Sequence, residues 1–278
     1  MTQFISRASL AFAAALGFLA MGQQAVAQQD SGLFGKRVAS VTYGRYVRLE
    51  FGVASPSPDN GFWRPPGYPA DPKINFDLNG GDTGFGAVAM GFDWMNGFRG
   101  DISLTMTGNS DISGPCSSAS DGSPCDTGGS DNHADISDAS VRTTAVMGNL
   151  FYSPLEQQGS NSVFQPFLVA GLGIANNHVG RWTRENDSLG AGGVTRTFKG
   201  ASNTDLAWSL GLGASWQVTR PGKWPVIVEA SWRYYDFGMA EGGATPVGGS
   251  GGTPVQPLTF DHRDQVFSIG VRVPLQRF

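Results

Sequence analysis

Three histidines have the plainest potential for acid–base chemistry. His133, His178 and His262 fall in three separate polar stretches. Imidazole titrates near neutral pH, so each could move a proton. A hydrolase would also need a nucleophile and an orienting carboxylate beside that base. Ser188, Asp187 and Asp264 are the candidates to stand with His178 or His262. No spacing selects such a set. The chain has no Gly-x-Ser-x-Gly elbow, His-Glu-x-x-His helix, phosphate-binding loop or dinucleotide fingerprint. The expectation is a non-enzymatic protein without a cofactor.

Binding chemistry is sparse as well. Asp111, Asp121, Asp126, Asp131, Asp135 and Asp138 offer hard oxygen ligands. Their spacing matches no calcium loop, so they read as a solvated acidic stretch, and no metal is expected. Cys116 and Cys125 are the only cysteines, nine apart in a polar segment. In an exported chain they predict one disulfide that ties a surface loop. Only His133 lies nearby, too few groups for a zinc site. Phe62, Trp63 and Tyr68 stand among prolines. They form a patch for an external partner or fold over whatever lies beneath.

The N-terminus sets the compartment. Arg7 precedes an apolar run from Leu10 to Ala20, and Ala25-Val26-Ala27 offers a small-residue cleavage site. Residues 1–27 therefore read as a signal peptide. Its removal leaves 18 of 19 basic and all 23 acidic residues, a net charge of 18 − 23 = −5. That disfavours a nucleic-acid partner. Residues 28–43 read as a short periplasmic segment, and 44–278 as the folded unit.

The elements that must position these side chains are strands. Eight segments alternate with period two, at about 45–54, 84–94, 98–108, 141–152, 163–175, 205–217, 225–237 and 264–275. One face is strongly apolar, as in Leu49-x-Phe51-x-Val53 and Phe267-x-Ile269-x-Val271. The other is small or polar. It carries Arg48, Glu50, Asp93, Arg99, Asp101, Glu229, Arg233 and Arg272, four acids and four bases. Alternation alone would also suit a soluble sandwich. Three features favour a membrane barrel. The segments reach the roughly 9–11 residues that a tilted spanning strand needs. The connections alternate long and short, as external loops and periplasmic turns do. The charges can pair inside a narrow lumen, whereas in lipid each would be costly. The fold expected is all-β: an eight-stranded antiparallel transmembrane β-barrel with four long external loops and short periplasmic turns.

Several stretches carry a family resemblance. They are Gly-Arg-Tyr-Val-Arg-Leu-Glu-Phe-Gly-Val at 44–53, Gly-Phe-Arg-Gly-Asp-Ile-Ser-Leu at 97–104, Met-Gly-Asn-Leu-Phe-Tyr at 147–152 and Gln-Pro-Phe-Leu-Val-Ala-Gly-Leu-Gly at 165–173. In this order the chain, over roughly 44–278, resembles the bacterial outer-membrane β-barrel family of opacity-like and 25-kDa surface proteins. The resemblance implies a Gram-negative outer membrane, lipid and the barrel-assembly machinery as partners, and a structural or adhesive task. It also implies that the terminal Phe278 acts as an assembly signal, although Val271, Val273 and Leu275 stand one position out of step with it. The external ligand would be a matrix or cell surface met by the loops. The alternative is a narrow porin-like channel. Eight strands enclose a space just wide enough for side chains, which argues against a wide one.

Overall fold

The period-two segments become strands of a single antiparallel sheet. The computed structural model describes residues 44–65, 72–125, 135–160, 162–186, 194–218, 225–249 and 251–275. The expected leader at 1–27 and the segment 28–43 lie outside these residues, as do Tyr68, His133, Asp187, Ser188 and Phe278.

The described residues form β1 (Arg45–Pro56), β2 (Asp59–Arg64), β3 (Ile74–Phe76), β4 (Asn79–Gly80), β5 (Thr83–Asp93), β6 (Phe98–Thr107), β7 (Ser110–Ala119) and β8 (Asp135–Tyr152). The short helix α1 (Pro154–Gln157) follows. Then come β9 (Phe164–Val179), β10 (Trp182–Asn186), β11 (Val194–Phe198), β12 (Ala201–Gln217), β13 (Ile227–Glu241) and β14 (Gln256–Pro274). The long strands pair in the order β1, β5, β6, β8, β9, β12, β13, β14. β14 then returns to β1, from Tyr46↔Pro274 to Pro56↔Asp264. The ring has no free edge there. A sheet in lipid must close this way, because lipid offers its edge no hydrogen-bond partner.

The expectation of eight strands joined by four long external loops is corrected in its strand count. The sheet has fourteen strands, not eight. The stretch at 55–83 contains β2, β3 and β4, and the stretch at 109–140 contains β7 and the first residues of β8. The stretch at 176–204 adds the β10–β11 hairpin. β2 joins β14, β7 joins β8, and β10 also joins β8. Ring strands therefore continue beyond the apolar band as an outer sheet, up to 19 residues in β14. The physical reason is the solvent. Lipid outside forces an apolar outer face; water outside does not, so alternation there loses its apolar contrast.

The opposite end has tight connections. At 94–97, Met95 and Gly97 adopt φ of 62° and 86°. A Cβ at Gly97 would also lie 2.7 Å from Cβ of Gln157, so the left-handed backbone and the close approach of α1 both require glycine. Inside the ring, small residues make room for arginines. A Cβ on Gly211 would stand 2.7 Å from Cγ of Arg233 and 2.5 Å from the Trp232 carbonyl.

Candidate functional site

The lumen is filled in layers. Nearest the tight turns, Phe151, Phe167 and Val169 form a buried cluster. The Arg99 guanidinium lies 4.3 Å from the Phe151 ring centre and 4.7 Å from that of Phe167. Such stacking suits a weakly hydrated planar cation.

All eight charged residues of the polar strand faces lie within this region, and each is at most 6% exposed. Arg48 pairs with Glu50, and its Nη2 stands 3.0 Å from Asp101 Oδ2. Arg233 Nη2 reaches Glu50 Oε2 at 3.6 Å. Glu229 Oε1 receives Arg99 Nη2 at 3.0 Å and Arg272 Nε at 2.9 Å. Arg272 Nη1 continues to Asp93 Oδ2 at 3.3 Å. Neutral groups complete the shells. Asn149 Nδ2 donates to Asp101 Oδ1 at 2.7 Å, and Ser268 Oγ donates to Glu50 Oε1 at 2.5 Å. Buried charges need this density of partners to offset their desolvation.

Above the charges lies an apolar layer. Ala54, Phe85, Met147, Ala175, Tyr235, Phe237 and Val266 are among its buried members. Tyr235 and Phe237 stack at 5.2 Å. A bulge in β13 between Asp236 and Met239 accompanies this arrangement. Asn177 Nδ2 donates to the carbonyls of Phe237 and Met239, both at 2.9 Å, which ties β9 to the bulge past the intervening β12.

His262 and Asp264 come next. On β14 the outward apolar residues run from Phe267 to Val273, and the outward positions beyond are Gln265, Arg263 and Asp261. The two inward side chains therefore lie past the apolar band. They are fully buried, with His262 Nε2 3.7 Å from Asp264 Oδ1. Neither ring nitrogen and neither carboxylate oxygen has a hydrogen-bond partner among the described residues. Phe237 stacks on the imidazole at 5.6 Å. Burial lowers the His262 pKa and raises that of Asp264, each only partly opposed by the other. His178 is far from this pair, on the outer face of β9, where Nδ1 meets Ser202 Oγ at 2.8 Å.

A packed cap closes the outer end. Trp182 stacks on Phe198 at 4.1 Å, and Trp63 meets Trp182 edge-on at 6.0 Å. Trp182 Nε1 donates to the Gly243 carbonyl at 2.9 Å. Arg184 lies over the Trp63 ring and its Nη2 pairs with Asp135 Oδ1 at 2.6 Å. Trp63 is thus no part of an open aromatic patch, because its ring completes the cap core. Phe62 is half-buried beneath the Lys73 ammonium, 3.7 Å from its ring centre. Cys116 and Cys125 form the disulfide, with Cα atoms 5.5 Å apart, and tie the end of β7 to the segment that follows it.

The glycine-rich stretch after β13 is also more ordered than its composition suggests. Lys199 N donates to the Thr245 carbonyl and Val247 N to that of Thr197. A Cβ on Gly243 would lie 2.2 Å from the Lys199 carbonyl, so glycine permits this contact. Trp182, Phe198 and Asn177 were not singled out from the sequence. The signal available was Trp182-x-Arg184, whose side chains both turn inward.

Outside the ring, apolar side chains are exposed on every long strand. Phe51, Met90, Ile102, Leu172, Leu206 and Ile269 are each at least 65% exposed. Water would penalise so broad an apolar belt, whereas lipid accepts it. A closed antiparallel sheet that is charged within and apolar without is a membrane β-barrel. The chain is a small bacterial outer-membrane β-barrel protein, located in the outer membrane of a Gram-negative cell.

No protein-family model matches the chain. It is similar to the outer membrane protein PagN of Salmonella typhimurium, with 27% identity over 158 residues. The match covers 55% of this chain and spans 57% of the length of that relative. Among solved structures, neisserial surface protein A aligns over 84% of this chain and 97% of its own, with 16% identity and a TM-score of 0.43. OprG from Pseudomonas aeruginosa aligns over the same shares, with 13% identity and a TM-score of 0.42.

Proposed function

We propose that the eight ring strands form a sealed membrane-spanning barrel whose task is to hold the outer sheet and its cap outside the cell as a contact surface. In this reading the four longer connections face outward and the three short ones face the periplasm. The protein works by display and is not catalytic. The observation that carries the reading is the filled lumen. A charged layer, an apolar layer and a tryptophan cap lie in series, so each would have to move before a solute could pass. The investment in rigidity is outside: strands extend past the apolar band, and a disulfide and stacked indoles fix what they carry. A rigid scaffold that fixes surface segments is a common way to build a binding face.

Single-channel recording tests this proposal. The chain lacking residues 1–27 is refolded, its insertion is verified by a heat-dependent gel shift, and planar bilayers are then examined. A folded, inserted and silent barrel is the expected result. Steady, reproducible openings would overturn the sealed reading in favour of a narrow channel.

A further inference from the structure

A second polar feature lies on the outer wall, unconnected with the lumen. Three cross-strand rows on β8, β9 and β12 define it. The last apolar row is Val146–Ile174–Leu206, exposed by 54%, 56% and 76%. The next row outward is Thr144–Asn176–Thr204, and the next is Arg142–His178–Ser202. The apolar-to-polar change is abrupt and falls at one level on all three strands.

Thr144, Asn176, Arg142, His178 and Ser202 of these rows line a groove of about 520 Å³, together with the end of β6 and the β6–β7 connection. Arg142 is exposed and has no acidic partner among the described residues. His178 is held by Ser202 through Nδ1, which leaves Nε2 without a protein partner among the described residues. Asn176 is held by Thr204 Oγ1 and the Asn203 carbonyl. The Asn176 amide N–H groups are thereby spent, so the groove presents a guanidinium, an imidazole and the Thr144 hydroxyl together. A guanidinium fork beside a hydroxyl suits a phosphate.

Its height fits the same ligand. Arg142 lies four residues past Val146, about 14 Å along the strand and roughly 10 Å along the normal for a strand tilted ~45°. The polar layer of a bilayer begins where the hydrocarbon ends and is about 5–8 Å deep. An arginine side chain can reach back into that layer. We infer that this groove binds a phosphate group, and that its natural source is the phosphorylated headgroup of an outer-leaflet glycolipid. The inference rests on the reading that the apolar belt faces lipid; the gel shift tests that reading separately.

The test uses the refolded chain in a phosphate-free glucoside detergent. Diphosphorylated lipid A is titrated against the wild type and against Arg142→Ala/His178→Ala, with binding read by native mass spectrometry. Both side chains are on the outer wall, and a gel shift confirms that the variant is folded. The double variant is expected to bind at least tenfold more weakly, and lipid A stripped of phosphate to bind both proteins equally weakly. Inorganic phosphate at millimolar concentration should not displace the lipid. If it does, the phosphate site stands and the free ion becomes its ligand. Equal affinity of wild type and variant for lipid A, or equal binding of the stripped lipid by the wild type, would overturn the inference.

Discussion

Arg272 and Asp93 meet inside the lumen, Nη1 to Oδ2 at 3.3 Å, although 179 positions separate them in the chain. They sit on β14 and β5, with β1 between, so their contact depends on ring closure and not on strand pairing. The same Arg272 binds Glu229 on β13, which in turn holds Arg99 on β6. Four strands are joined by one chain of charges.

Removal of one member should cost more than removal of a matched pair. Glu229→Ala leaves Arg99 without its ion pair in a buried setting, and is expected to destabilise the barrel by about 3–5 kcal/mol. Arg99→Met with Glu229→Met should cost much less, because Arg272 keeps Asp93. Urea unfolding in vesicles, followed by tryptophan fluorescence, measures both.

The apolar layer is one of three barriers in series. Tyr235→Ala with Phe237→Ala removes two stacked rings from the lumen. With the charged layer and the cap still in place, the double variant is expected to stay silent in planar bilayers, as the wild type does. Steady openings would assign the seal to the apolar layer alone.

The buried carboxylate of Asp264 gives a pH signature. Its raised pKa means the folded state holds a proton that the unfolded chain has lost. The resulting stabilisation is complete below the unfolded value near 3.9 and is lost as pH rises through the folded value. His262 has the opposite sign, since its lowered pKa costs stability as pH falls below about 6.5. Asp264→Asn should therefore raise the thermal midpoint at pH 8 more than at pH 4. An equal change at the two pH values would count against a buried ionisable carboxyl.

The disulfide should matter to the cap and not to the membrane part. Cys116→Ser with Cys125→Ser opens a loop of nine-residue separation, for an expected loss of about 2–3 kcal/mol on chain-entropy grounds. Protease cleavage near 116–125 should become faster, while the heat-dependent gel shift remains.

The packing of Trp182 can be checked by truncation. Trp182→Ala removes a ring that touches Phe198 and Trp63 and frees the Gly243 carbonyl. The expected cost is about 3–5 kcal/mol. Amide exchange should rise in β10, β11 and residues 242–247, with β5 and β6 unchanged.

The sequence made the membrane-facing strands legible because lipid imposes a one-sided rule. Leu49, Phe51 and Val53 must all turn outward, and Arg48 and Glu50 inward. Beyond the apolar belt that rule lapses. In β8, Asp135, Ser137 and Ala139 turn inward while Asp138 turns out, and no apolar contrast marks the strand. β7 holds Gly114 and Pro115, residues that read as a turn. Whether Trp63 joins a surface patch or folds over the barrel stayed open in the sequence because its partners, Trp182 and Phe198, come from other connections. The inward parity of the charges was readable. Which acid meets which base was not, because that depends on how far the strands stagger around the ring.

The shared carboxylates have a consequence for how the molecule enters its membrane. An arc of strands with the seam between β1 and β14 still open would place Arg272 and Glu50 beside lipid with partners missing on the far side. Each such state carries an electrostatic penalty that vanishes only when the last strand docks. Half-closed intermediates are thereby disfavoured, and insertion becomes all-or-none. An assembly factor need only shield the lumen until the seam meets; the charges then lock it.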